Sequence, residues 1–473
     1  MTNKPNLIYI FADQLRFTSL GFNGDGFAKT KVLDSFAGEC TLVDNACSGH
    51  PLCAPYRASL LTGKYSTSTG MVIDELRINP RHRTIAHALN DSGYATAYIG
   101  KWNLYAAKLG NHYDVKNSYI PKGENRLGFD DYFAAYNCHH EYYAPKAYFH
   151  LDSPAKMYAK GYEPDHQTEL AADKIQEYAE NKKPFALFLS YGTPHDPWFS
   201  HNVPAEYYEL FKDTVFPLPE NYSKKNDPHA DLWSRLLLQE REKLNLWLQC
   251  YYAMTANLDM NIGRLLETVK NAGIENDTIF VFTSDHGEMF GAHGRRAKNI
   301  FYDEAVRVPF LIKWGDKLKK GRSVQCLNTV DIMPTLLSLM GIEIPESVQG
   351  CDVSEALRTG NITPNPCLMM GTGPAAIWGN GREWRALRNE SYTYATYLSD
   401  SSEYLFDNIA DPYQMNNLIE ADAYSEIKAD MKKQMYEKMA QIGDDFEKNS
   451  FYKKNWADKR CIRETLYRRN QIK

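Results

Sequence analysis

The sequence predicts an α/β protein: a large, mainly parallel or mixed sheet flanked by helices, followed by a smaller C-terminal α+β domain carrying a short antiparallel sheet. Three observations predict it. Short, almost unbroken apolar runs recur through the first two thirds of the 473 residues, with helical patterns between them. That alternation builds sheets covered on both faces. A Pro- and Gly-rich stretch follows at 342–366, and beyond it the strands become shorter and lie closer together. The expected division is a catalytic domain at 1–360 and a subdomain at 361–473.

The buried strands are expected at 7–12, 95–100, 185–191, 278–283 and 308–314. Helical periodicity covers 236–272 and stops at Gly273; it covers 332–340 and stops at Gly341. Glycine ends helices because it enters the left-handed region without penalty. The amphipathic part at 236–247 reads as core packing or as a helical insertion over a site. In the second domain, 385–387, 392–398 and 404–406 read as antiparallel strands and 424–442 as a helix.

Composition excludes several classes. A net charge of -5 gives no basic field of the kind that draws nucleic acid. Nine cysteines, an odd number without any CxxC pair, argue against a disulfide scaffold or a zinc cluster and for a reducing compartment. The apolar run near the N-terminus spans only Leu7 to Phe11, and no stretch reaches membrane-spanning length. The expected compartment is the cytoplasm for the chain as written, and the periplasm if a leader has been trimmed from it. The basic tail (Lys453, Lys454, Lys459, Arg460, Arg463, Arg468, Arg469) reads as a solvated terminus or as a contact for anionic glycans.

In open α/β sheets, ligands bind outside the carboxyl ends of the strands. Those ends carry Asp13 and Gln14, Lys101 and Asn103, His195 and Asp196, and Asp285 and His286. Either Asp13 or Asp285 alone reads as a strand-end cap. Together, Asp13, Gln14, Asp285 and His286 offer two carboxylates, an amide oxygen and an imidazole. That set suits Ca²⁺ or Mg²⁺, and the histidine admits Mn²⁺. Cys53 precedes Pro55 and a short helix at 57–61, and Arg57 follows it by about one turn. Helix N-termini favour anions. A lone cysteine there is normally a buried small hydrophobe, and it is the C-x-P-x-R pattern that marks this one as reactive.

That pattern, Cys53-Ala-Pro55-Tyr-Arg57-Ala-Ser-Leu-Leu-Thr62-Gly63, resembles the signature of the type I sulfatases in the alkaline-phosphatase superfamily. The resemblance runs through nearly the whole chain: PNLIYIFADQ at the start, GYATAYIGKWNL at 93–104, SYGTPHDPW at 190–198, TSDHGEMFGAHG at 283–294, Lys298 with Glu304, and EYLFDNIADPYQMNNLI at 403–419. It implies an alkaline-phosphatase-like fold and a sulfuric ester hydrolase. It also implies that a maturation enzyme oxidises Cys53 to formylglycine, whose hydrate attacks sulfur in a two-step displacement. Asp13, Gln14, Asp285 and His286, with residue 53, would hold the metal. Arg57, Lys101 and Lys298 would surround the sulfate, and His195 would protonate the departing alcohol.

Three positions depart from the usual family pattern. Gln14 stands where a second Asp is common, and His286 where Asn is common. Asn103 replaces the histidine expected to help release sulfate; His50, His112, His139, His140 and His293 are the candidates to replace it. Gln14, His286 and Asn103 also lean toward phosphonate monoester and phosphodiester hydrolases of the same superfamily, the alternative reading. A non-catalytic binding protein is the third. A sulfated carbohydrate is the expected substrate. Asn103, His293, Arg295, Trp378 and Arg382 are its candidate contacts, with Trp198, His201, Trp384 and Arg385 near them in sequence.

Overall fold

The computed structural model describes residues 4–106 and 110–463. Its main sheet has eight strands: β1 (Asn6–Ala12), β2 (Thr41–Cys47), β3 (Ala95–Lys101), β4 (Tyr132–Tyr136), β5 (Phe185–Ser190), β6 (Thr278–Ser284), β7 (Phe310–Lys313) and β8 (Gly321–Asn328). Their order is β8-β2-β7-β6-β1-β5-β3-β4. Every residue of β1, β3, β5 and β6 is buried, as their apolar runs required. Successive side chains of β1 enter opposite layers. Leu7, Tyr9 and Phe11 join one core, and Ile8, Ile10 and Ala12 the other.

Helices cover both layers. The helix α1 (Cys53–Thr62) packs on the first through Ala54, Tyr56, Ala58, Leu60 and Leu61. The helices α2 (Glu163–Glu180) and α3 (Leu244–Asn271) cover the second. The helix α4 (Thr329–Leu339) returns to the first. Its N-terminus is capped by Asn328, whose backbone N–H donates to Asp331 at 2.8 Å. Gly273 and Gly341 follow α3 and α4 with φ of 69° each, so both stop signals were read correctly.

All neighbouring pairs in the sheet are parallel except those of β7, which is antiparallel to both β2 and β6. The chain between β6 and β7 makes no long helical crossover; it loops at the carboxyl edge of the sheet, so the next strand runs back. The expected fifth parallel strand is therefore an antiparallel one. Helix α3 starts at Leu244 and not at 236, with a separate short turn of helix at Leu238–Arg241 before it.

A second, antiparallel sheet contains β9 (Cys367–Thr372), β10 (Glu383–Arg388), β11 (Tyr392–Tyr397) and β12 (Glu403–Asp407) in that order. One face receives α5 (Ser425–Gln441) through Met431, Met435 and Met439, spaced by one helical turn. The other face packs against Cys47, Ile300, Phe301 and Cys326 of the first sheet and its loops. A last helix, α6 (Asn449–Trp456), returns Tyr452 and Trp456 to the first core. Beyond it the chain pairs with the segment around Arg77: Arg77 N–H donates to Arg460 O at 2.7 Å and Ile462 N–H to Arg77 O at 2.9 Å. Of the basic tail, Arg460 donates to the carbonyl of Glu75 and Arg463 pairs with Asp458. Arg468 and Arg469 lie outside the described residues.

Buried Arg385 ties β10 to the segment before α6. It donates to both carboxylate oxygens of Asp444, and also to Tyr452 at 3.2 Å. Removing one partner of a buried ion pair strands the other charge. Asp444→Ala is expected to destabilise the protein by about 3–5 kcal/mol. Urea unfolding checks this; a change below about 1 kcal/mol would show that the pair is dispensable.

Candidate active site

The carboxyl ends of β1, β3, β5 and β6 converge as the sequence predicts. Asp13 is fully buried at the centre. Its Oδ2 accepts from Lys101 Nζ at 2.6 Å and from Arg57 Nη2 at 3.0 Å. Its Oδ1 lies 3.6 Å from Cys53 Sγ and 3.8 Å from His286 Nε2. Burial disfavours its charge, but Lys101, His195, Lys298 and Arg57 together hold its carboxyl well below the usual range. Asp285 is pushed the other way, by burial and then by the charge of Asp13. Its Oδ1 accepts the N–H groups of Gln14 and His286, while its buried Oδ2 accepts no hydrogen bond among the described residues.

This arrangement fits a divalent cation. Ligand atoms of Asp13, Cys53, Asp285 and His286 all lie within 4.8 Å of one another. The His286 ring donates from Nδ1 to Gly287 O at 3.1 Å, which turns Nε2 inward as an acceptor. Burial and then Lys298 keep that ring neutral, as a metal ligand must be. Gln14 has φ of 70°. Its amide nitrogen donates to Glu288 at 2.5 Å, and its oxygen accepts from Lys298 at 3.0 Å. Buried Glu288 also accepts the N–H groups of Phe290 and Ala297, so it fixes which way the Gln14 amide faces.

Cys53 is the first residue of α1 and is 3% exposed. Its sulfur lies 3.3 Å from Lys298 Nζ and 3.4 Å from His286 Nε2. Burial and then Asp13 push the thiol well above its ordinary range, so the unmodified side chain is no thiolate at neutral pH. Lys298 also donates to His195 Nε2 at 2.8 Å. The opposite ring nitrogen of His195 donates to Asp196 O at 2.7 Å. Burial and then the Lys298 charge lower His195 to about 4. Gly100 has φ of 103°, and a Cβ there would sit 2.0 Å from Ser190 O. Glycine therefore lets β3 and β5 deliver Lys101 and His195 side by side.

One cavity is lined by Gln14, Cys53, Lys101, Asn103, His195 and Lys298. Arg57 stands behind it, with Nη1 on the Lys101 carbonyl and Ser190, and Nη2 on Asp13 and 3.6 Å from Asp285 Oδ2. Asn103 has φ of 54° and a buried side-chain oxygen with no partner among the described residues. Of the five histidines that could compensate for it, only His112 and His140 line the cavity. His140 stacks on His195 with ring centroids 4.1 Å apart, and His112 pairs with Glu75 at 2.7 Å.

Four expected substrate contacts do not line it. His293 is turned away, stacked on Tyr302 and held by Asn221 and Tyr413. Arg295 is tied to Asp227 at 3.1 Å. The loop after His286 folds outward through left-handed positions at Phe290, Gly291, His293 and Gly294, and re-enters at Arg296 to Lys298. Trp378 packs on the first core, and Arg382 leads into β10; Ala375 and Ala376 line the cavity in their place. Trp384 and Arg385 belong to the second sheet's own packing. Trp198 is buried with its ring N–H on Pro194 O, and His201 stacks on Phe199; neither lines the cavity.

Asp74, Glu75, Asp231 and Arg296 complete the cavity walls and carried no motif. Glu288 was within reach of sequence reasoning, because it follows His286 by two residues in the same segment.

Comparison with known proteins identifies the family. The family model described as Sulfatase matches residues 5–342. The chain belongs to the sulfatase family. A second model, described as N-sulphoglucosamine sulphohydrolase, C-terminal, matches residues 291–441. An ulvan-active sulfatase of Formosa agariphila is 37% identical over 96% of this chain and 84% of its own length. Among solved structures, a sulfatase of Bacteroides fragilis superposes with a TM-score of 0.81 at 28% identity, covering 96% of this chain and 98% of that one. A structure solved with its substrate D-glucosamine-2-N,6-O-disulfate gives 0.78 at 23% identity, covering 93% of this chain and 99% of that one, and shares the fold. The enzyme is thus a sulfatase with the large mixed sheet and small C-terminal sheet of the alkaline-phosphatase superfamily.

His50 lies near the catalytic helix but not in the cavity. It is 1% exposed and neither ring nitrogen has a hydrogen-bond partner among the described residues. Burial and then Arg385 lower it to about 3. Below about pH 6.5 the unfolded chain binds a proton that the folded chain refuses. The stability this contributes is complete above that pH and is lost as pH falls toward 3, by about 4–5 kcal/mol at most. His50→Leu is expected to flatten the acid limb of a stability–pH curve by up to one proton. An unchanged slope would mean that the ring titrates normally.

Proposed function

We propose that this sulfatase hydrolyses a sulfate ester of a carbohydrate, using formylglycine made from Cys53 by a maturation enzyme. One divalent cation would be held by Asp13, Gln14, Asp285, His286 and residue 53. Ca²⁺ suits the oxygen-rich set, with Mn²⁺ or Mg²⁺ as alternatives. The observation that carries the reading is the buried ring of donors around Cys53, with Lys101 and Lys298 beside it. The carbohydrate class is supported by the relatives: one is named ulvan-active, and another fold neighbour holds a sulfated glucosamine.

When bound, the cation neutralises sulfate oxygens and favours deprotonation of the attacking hydroxyl, which the hydrated aldehyde supplies. The protein's own groups do the rest. Lys101 and Lys298 stabilise charge that spreads over the sulfate oxygens in the transition state. Arg57 acts one step back, as a positioning residue for Asp13 and the Lys101 backbone. His195 is neutral in the resting site and accepts from Lys298. An arriving sulfate anion offsets the Lys298 charge that suppresses ring protonation. The imidazole can then charge and protonate the departing alcohol from Nε2, while Nδ1–H stays on Asp196 O.

Two substitutions test the reading. Cys53→Ala is expected to reduce sulfate release to background with the fold intact by circular dichroism, and mass spectrometry of the wild-type peptide should find the aldehyde at position 53. Full turnover by the alanine variant would remove residue 53 from the chemistry. His195→Ala should lower turnover of sugar sulfates by roughly 10²–10⁴-fold, and of an activated aryl sulfate far less. Equal losses on both would deny it the general-acid role. A matched aryl phosphonate, cleaved where the sulfates are not, would move the enzyme to the phosphonate and phosphodiester branch.

A further inference from the structure

The cavity walls around position 53 carry four acids. Asp74, Glu75, Asp196 and Asp231 line them, and Arg296 is the one Lys or Arg among the described lining residues apart from Lys101 and Lys298. Arg296 is already engaged: it donates to Glu240, lies 4.0 Å from Asp196, and its guanidinium sits 5.0 Å over the Trp247 ring. Its charge is therefore already shared between two carboxylates.

The four acids are not equivalent. Both oxygens of Asp231 are consumed in folding the wall: Oδ1 accepts from Trp233 N, Ser234 N and Ser234 Oγ, and Oδ2 from Ala375 N at 2.9 Å. Glu75 is divided between His112 and the Gly110 N–H. Asp196 lies 3.2 Å from the His195 ring. Asp74 differs. Its Oδ1 accepts the N–H of Ala54, the peptide that follows Cys53, at 2.8 Å. Its other oxygen accepts no hydrogen bond from any described residue, and its side chain lines the cavity half-buried. The bond to Ala54 places a carboxylate beside the reacting residue with acceptor capacity to spare.

We propose that Asp74 is a specificity-determining residue that accepts a free hydroxyl of the sugar next to the scissile ester, and that the acidic walls exclude a second anionic group from that sugar ring. The substrate ring is then a hydroxyl-bearing neutral sugar carrying one sulfate, not a uronate or a disulfated ring. This rests on the sulfatase reading and narrows it. The physical basis is an asymmetry. A hydroxyl satisfies the spare oxygen, whereas a carboxylate or second sulfate meets four acids, with the Arg296 charge already shared by Glu240 and Asp196.

The test uses the full-length enzyme with conversion of Cys53 confirmed by mass. Sulfate release would be measured for a neutral hexose monosulfate, its vicinal deoxy analogue, the matching hexuronate monosulfate, a hexose disulfate and 4-nitrophenyl sulfate. The wild type is expected to favour the neutral sugar over either charged one by about 100-fold in kcat/KM, and to lose at least about tenfold on the deoxy analogue. In Asp74→Asn, which can still accept from Ala54, the discrimination against charged rings should shrink by about tenfold. In Asp74→Ala the deoxy and hydroxyl sugars should become nearly equal, since the hydroxyl has lost its partner. A preference for the uronate or disulfate, or a deoxy penalty that is the same in wild type and Asp74→Ala, overturns the assignment while aryl turnover leaves the sulfatase reading standing. No sulfate release from any ester, the aryl sulfate included, takes down both.

Discussion

The site depends on one buried charge. Asp13 ends the central strand and has no exposure to water. An isolated carboxylate there would take up a proton or unfold its surroundings. Lys101 from β3 and Arg57 from α1 hold it ionised, and Arg57 in turn clasps the Lys101 carbonyl and Ser190 at the end of β5. Three strands and the catalytic helix are thereby locked at their carboxyl ends by hydrogen bonds to one carboxylate and one guanidinium. Position 53 gains its place from the same lock, because it opens the helix that Arg57 anchors.

The second carboxylate adds negative charge to the same pocket. Asp285 stands close enough to Asp13 to be pushed up by its charge, and one of its oxygens accepts no hydrogen bond among the described residues. Arg57 faces both carboxylates, with Nη2 3.0 Å from Asp13 Oδ2 and 3.6 Å from Asp285 Oδ2, and offsets part of their repulsion. The Lys298 ammonium is shared among Gln14, Cys53 and His195 on the cavity side. The carboxylates and the imidazole face a common centre, with Lys101 on Asp13 and Lys298 on the cavity side of Cys53.

Much of this was legible in the sequence for a physical reason. Strands buried on both faces must be apolar throughout, so β1, β3, β5 and β6 stood out, and the polar residues ending them marked the site. Strands with mixed burial did not stand out. β8 reads GRSVQCLN and alternates exposed with buried positions in its first half; β2 carries Asp44 and Asn45. The direction of β7 was also hidden, because it depends on the path of the preceding loop and not on the strand's own residues. The same loop misled the substrate reading. His293 and Arg295 are close in sequence to His286 and Lys298, yet the left-handed turns between them carry both side chains away. Proximity along a loop says little about which side chains face the site.

The cavity walls obey a different rule from its floor. Asp74 is fixed by its own peptide N–H on Ala375 O and by Ala54 N–H on its carboxylate; Asp231 is fixed by its own loop and by Ala375. The C-terminal segment closes the arrangement from outside, with Arg460 on the Glu75 carbonyl and Ile462 paired to Arg77. Apart from the bond to Ala54 in the first turn of α1, these bonds join loop to loop, and they need no particular residue at the strand ends. The floor is therefore determined by sheet geometry, and the walls by contacts among segments that can change together. A substitution at Asp13 would disturb strand ends, helix and catalysis at once. One at Asp74 would alter a wall of the cavity and, through the Ala54 N–H that it accepts, the first turn of α1 beside position 53.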